Sequence, residues 1–113
     1  MHKMYFDNPT FKHGLNFTVR MGQKWSTQLF VGDFFEIDGF NGVAKVKRVF
    51  QCRVGECESL GVLQNYHAPD GRTDEGIILC MRRSYPSELK DKEDSDVRLW
   101  PVTCIGFVLY ELC

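Results

Sequence analysis

The chain has 113 residues, enough for one domain with a core of its own. It is 43% apolar, and its nine Phe, four Tyr and two Trp exclude a disordered chain, because bulky apolar groups offset the entropy of ordering. Fourteen basic against fifteen acidic residues leave a formal charge of −1, which argues against a generic polyanion binder, and no apolar run approaches the roughly 18 residues of a membrane span.

Residues 1–13 show no clear period, and Asn8-Pro9 marks a turn. Met1 to Pro9 lack the apolar stretch of a secretion signal, so a soluble cytoplasmic protein is expected. Leu15 to Arg20 alternates strictly and predicts a half-buried strand. Leu15, Phe17 and Val19 take one face; Asn16, Thr18 and Arg20 line up on the other. Met21 to Lys24 turns the chain, and Trp25 to Phe30 forms a short helical or irregular link. Val31-Gly32-Asp33 is a tight turn into a second strand, Phe34 to Asp38, with Phe35 and Ile37 on one side. The Asn41-Gly42 pair then closes a hairpin.

Val43 to Arg53 reads as a long third strand with four basic residues and no acid. Ala44, Val46, Phe50 and Cys52 are expected on one face, and Lys45, Lys47, Gln51 and Arg53 on the other. The alternation breaks at Arg48-Val49, which suggests a bulge. Glu56 to Tyr66 is read as a helix, followed by a loop, Ala68 to Gly71. A second helix is expected from Asp74 to Tyr85. Thr73 would cap it, Asp74 and Glu75 open it, and Arg82 and Arg83 close it, each charge set matching the helix dipole. Ile77, Met81 and Tyr85 form its core stripe, and Pro86 stops it. Residues 87–96, with five acids and two lysines, read as a solvated loop, and Val97 to Trp100 as extended chain. Pro101 is expected outside any central ladder. Thr103 to Leu112 is apolar on both faces and reads as a central strand covered on both sides. The order is β-β-β-α-α-β, an α+β domain spanning 1–113.

Five cysteines without a secretion signal favour reduced thiols. Cys52 and Cys57 are the only close pair and His67 is the nearest histidine, so neither a metal site nor a cofactor is expected. Cys80 and Cys104 sit in apolar stretches as small buried hydrophobes.

No dinucleotide fingerprint, P-loop, nucleophile elbow or zinc-deaminase signature occurs. A constellation remains. Thr18 and Arg20 on the first strand, Lys24 beyond it, and His67, Asp70 and Arg72 in the inter-helix loop would converge if the helices border a common cleft. A hydroxyl, a cation and a carboxylate around a cleft can hold a nucleotide or move a proton. Trp25, next to Lys24, is the best stacking candidate. Lys45, Lys47 and Arg53 would guide a phosphate backbone.

In their order along the chain, these features resemble the ASCH domain, a branch of the PUA-like fold. Phe17-Thr18-Val19-Arg20 resembles its first strand, Val31 to Ile37 its Gly-Asp turn and second strand, and Ala44 to Val49 the strand after. Tyr66-His67-Ala68 and Ser84-Tyr85-Pro86 resemble the helical insertion, and Val102 to Leu112 the closing strand. The resemblance implies a small PUA-like mixed or antiparallel β-barrel with two helices packed beside a cleft. It is nearest to a bacterial branch that hydrolyses acetylated cytidine with a Lys and a Thr on the first strand and a Glu near the helical loop. Thr18 and Arg20 match that pattern; the Lys position holds Leu15, and the Glu position falls close to Asp70. Loss of such a base typically costs 10²–10⁴-fold. The expectation is therefore a module that binds RNA or a modified nucleoside or nucleotide. The alternatives are a small hydrolase using Thr18 and Asp70 on acylated nucleosides or RNA, and a protein-interaction module using the acidic stretch.

Overall fold

A mixed five-stranded sheet organises the chain. The computed structural model describes residues 1–6, 11–22, 24–62 and 72–111. In chain order the elements are β1 (His2–Met4), β2 (Asn16–Met21), α1 (Lys24–Gln28), β3 (Phe34–Ile37), β4 (Gly42–Arg53), a 3₁₀ turn (Val54–Glu56), α2 (Asp74–Ser84), α3 (Pro86–Leu89), α4 (Asp94–Arg98) and β5 (Pro101–Glu111). The strand order is β1-β3-β4-β5-β2. β1 runs parallel to β3, and every other neighbouring pair is antiparallel. The fold is α+β, with an open strand order whose edges are β1 and β2.

The hairpin and the central strand form where the pattern places them. Phe34 and Phe35 pair with Lys45 and Ala44, but the turn lies at Asp38-Gly39 rather than at the expected Asn41-Gly42: the Phe40 N–H donates to the Ile37 carbonyl, Gly39 supplies the positive φ (82°), and Gly42 already belongs to β4. β5 lies between β4 and β2 and is buried from Val102 to Phe107. Pro101, expected outside any central ladder, instead opens this strand opposite Arg53, the first position of a strand being one where a missing N–H is tolerated.

The sheet separates two apolar layers. One face holds Phe17, Val19, Val102 and Cys104 under Ile77 and Met81 of α2. The other holds Met4, Phe35, Ile37, Val46, Ile105 and Phe107, with Leu29 beyond α1. The rings of Phe6, Phe11 and Phe35 surround Phe107 at centroid distances of 6.2, 5.7 and 5.4 Å.

β2 departs from its expected half-burial. Asn16 and Thr18 are as inaccessible as Phe17 and Val19, because the N-terminal segment covers their face. β1 has no counterpart in the sequence reading. Three residues are too few to show a period, and a parallel partner leaves no turn signal nearby.

β4 changes allegiance midway. Ala44 and Val46 pack into the second layer, but Phe50 and Cys52 pack into the first. The ladder with β5 shifts by one residue between Val46 and Arg48, and this bulge reverses the parity. The expected continuous basic face does not form. Lys45 stands beside Phe34 on the first side, whereas Gln51 reaches Ser26 of α1 on the second, and alternation carries Arg53 with it.

The expected helix at Glu56 does not propagate through residues 57–62. The Val62 N–H donates to the Cys57 carbonyl and the Gly61 N–H to that of Glu58, with Gly61 at φ 75°. These bonds form a Schellman ending, which terminates a helical turn. The rest of that expected helix, and the loop with His67 and Asp70, lie outside the described residues.

α2 matches its expected bounds to within a residue, and the Thr73 hydroxyl accepts from the Gly76 N–H at 3.0 Å. Pro86 ends it and opens α3 at once. The acidic stretch is folded rather than a loop, and Val97-Arg98 is helical rather than extended. Leu89 and Val97 are buried in the first layer. Arg82 donates to the carbonyls of Leu89 and Lys92 and pairs with Asp94 at 2.7 Å. Two buried side chains and one guanidinium are enough to order a segment that composition marks as solvated.

Candidate functional site

Asn16, Thr18 and Arg20 share one face of β2; Asn16 and Arg20 tie it to the N-terminal segment, and Thr18 holds Arg20. The Asn16 amide donates to the carbonyls of Lys12 and Gly14 (2.9 and 3.3 Å) and accepts from the Lys12 N–H at 3.2 Å. A buried amide so satisfied holds residues 12–14 in a fixed turn. The Thr18 hydroxyl, fully buried, accepts from Arg20 Nε at 3.0 Å. The same guanidinium donates through Nη2 to the Tyr5 carbonyl at 3.2 Å and lies 4.7 Å from the Phe6 ring centroid. Arg20 therefore bridges edge strand β2 to the chain just after edge strand β1.

Lys24 is exposed, with Nζ 5.0 Å from the Trp25 ring centroid. Trp25 is half-buried, packs against the second layer and meets His2 edge-on at 5.5 Å. Thr18 and Arg20 face the second layer, whereas α2 packs on the first, against Phe17 and Val19. The polar residues of β2 and the body of α2 thus lie on opposite faces of the sheet. Lys47 and Arg53 are exposed, and Lys45 is partly buried with Nζ 5.6 Å from the Phe34 ring centroid.

A groove of about 570 Å³ opens elsewhere, where the Lys12–Gly14 turn meets the β3–β4 hairpin and the end of β5. Its walls include Phe11, Lys12, His13, Phe40, Tyr110 and Glu111. It borders the second layer, away from α2, and Thr18, Arg20, Lys24 and Trp25 do not line it. Its volume lies within the roughly 300–1,000 Å³ usual for small-ligand sites. Gly42 permits the close packing of two of its walls, Phe40 and Tyr110. A methyl there would overlap the Tyr110 carbonyl oxygen and come within 2.7 Å of the Phe40 ring. Sequence reading passes over this site because its walls come from three separated segments. The one local clue is the adjacent Lys12-His13 pair before a glycine.

The structure also brings Cys104 to the Cys52–Cys57 pair, which sequence reading treats separately. Sγ of Cys52 lies 3.8 Å from that of Cys57 and 3.6 Å from that of Cys104. Burial, then the neighbouring Cys57 charge, pushes the Cys52 thiol up to about 12. A hydrogen bond with Cys104 holds Cys57 below the ordinary thiol value, and the same bond, with burial, raises Cys104. Pairing β4 with β5 in register is the signal that would have joined these residues.

The chain matches no protein-family model and no curated protein by sequence. Among solved structures, it is similar to the solution NMR structure of protein PF0455 from Pyrococcus furiosus. The TM-score is 0.54 at 20% identity, over 86% of this chain and 82% of that one. At that identity the likeness shows a shared fold and nothing further.

Proposed function

We propose that the chain is an ASCH-like, PUA-related module that binds RNA or a modified nucleoside or nucleotide. One observation carries this reading: a groove of nucleotide size that sets the Lys12 ammonium and the His13 imidazole beside the aromatic walls Phe40 and Tyr110. A base stacks on an aromatic face for about 1–3 kcal/mol, and a phosphate pairs with a lysine beside it. The cation–ring pair Lys24–Trp25, on the same side of the sheet as the groove, offers a further contact for a longer strand. Hydrolysis has less support, because the Thr18 hydroxyl is buried and already accepts from Arg20. Residues 87–96 anchor to the first layer through Leu89 and keep their acidic side chains exposed, the surface that the interaction reading uses.

The expected result is binding of short single-stranded RNA that weakens with salt, by about 0.7 of log–log slope per phosphate contact. Tyr110→Ala should weaken it about 5- to 150-fold, the range that stacking on one ring implies. Lys12→Ala should lower the salt slope by about 0.7. Fluorescence anisotropy reads both, and NMR shift mapping with a free mononucleotide locates the contact. Shifts that miss Lys12–Gly14, Phe40 and Tyr110, or no binding at low salt, reject the reading.

A further inference from the structure

We infer that the sulfurs of Cys52, Cys57 and Cys104 form a binding site for one zinc(II) ion. The three thiols come from three places in the fold: the end of β4, the turn after it, and β5. Their Sγ atoms all lie within 4.8 Å of one another, with two edges of 3.8 and 3.6 Å. Tetrahedral zinc holds sulfur at about 2.3 Å, which sets sulfur–sulfur edges at about 3.8 Å. The observed triangle therefore needs little adjustment to take the ion.

The positions are braced. The Arg53 N–H donates to the Glu56 carboxylate at 2.8 Å, locking the turn that carries Cys57. Glu58 and Asp74 exchange backbone-to-carboxylate bonds at 2.9 and 3.1 Å, fastening that turn to the start of α2. Cys57 and Cys104 are fully buried, while Cys52 is only half-buried. The trio is thus reachable from the Cys52 side, where a ligand from solvent can complete four-coordination. No histidine or carboxylate belongs to the cluster among the described residues, and an all-sulfur set selects thiophilic ions. Zinc is favoured over copper(I) by charge. Three thiolates with zinc(II) leave one negative charge in a buried place, whereas copper(I) leaves two. Binding balances as one zinc(II) and three thiols giving a tris-thiolate complex and three protons.

The test uses the full chain, kept reduced, titrated with zinc(II) against a chromophoric chelator and with cobalt(II) as an optical probe. The expected result is one equivalent bound, cobalt–thiolate charge-transfer absorption, and a melting temperature that rises with zinc. Cys52→Ser should weaken binding by about 100-fold or more, and Cys80→Ala, outside the trio, should leave it within about 2-fold. Should Cys52→Ser fold poorly, the cobalt spectrum of the unmodified chain decides. Absence of charge-transfer bands, equal affinity in Cys52→Ser, or capture of copper(I) without zinc would each overturn the assignment.

Discussion

Phe107→Ala should remove about 3–5 kcal/mol of folding stability, the range for a large buried aromatic cut back to a methyl. Phe107 is fully buried on the central strand and is the ring around which Phe6, Phe11 and Phe35 are arranged. Its loss leaves a cavity that rigid β-strands cannot collapse to fill, and it removes edge-to-face contacts worth about 0.5–1.5 kcal/mol each. Against a typical total of about 5–15 kcal/mol, one substitution takes a third or more of the stability in many cases. Urea unfolding followed by far-UV circular dichroism checks it. A midpoint unchanged from the parent would mean that the second layer is not packed around this ring.

Arg20→Ala should cost about 2–3 kcal/mol, because one guanidinium makes three contacts that alanine cannot replace. These are the bond to Thr18 Oγ1, the bond to the Tyr5 carbonyl and the contact with the Phe6 face. Lysine keeps the charge but has no planar fork to reach both oxygens, so Arg20→Lys should recover little of the loss. The prediction separates two roles for the same residue. A surface contact waiting for a phosphate would lose binding and change stability by less than about 0.5 kcal/mol. A tie between the sheet's edges would lose stability first. Thermal melts of both variants, read beside RNA affinity, distinguish them.

Local pattern carried much of the fold. The β3–β4 hairpin, the cap at Thr73, the stop at Pro86 and the two-sided strand from Thr103 are each specified within a few neighbouring residues, although the hairpin turns at Asp38-Gly39 and not at Asn41-Gly42. What could not be read depends on partners far along the chain. β1 exists because β3 accepts it. Residues 87–96 are ordered by Arg82 and by the buried pair Leu89 and Val97, none of which stands out in an acidic run. Gly61 ends a turn where the spacing of Leu60 and Leu63 suggests continuation. The same limit governs the site. Thr18 and Arg20 have the chemistry of ligand contacts, but their partners come from the patternless N-terminal segment. The groove joins residues 11–14, 40 and 109–111, so only the folded chain assembles it.

The extra residue in β4 also determines where this strand can vary in length. Deleting Lys47 or Arg48 would merely straighten the ladder, with Val49 still opposite Ile105 and Phe50 opposite Cys104. Deleting Gln51 would evert either Cys52 or its predecessors, whichever register the strand then chose. Homologous chains of different length should therefore gain or lose residues in this strand at that one irregularity.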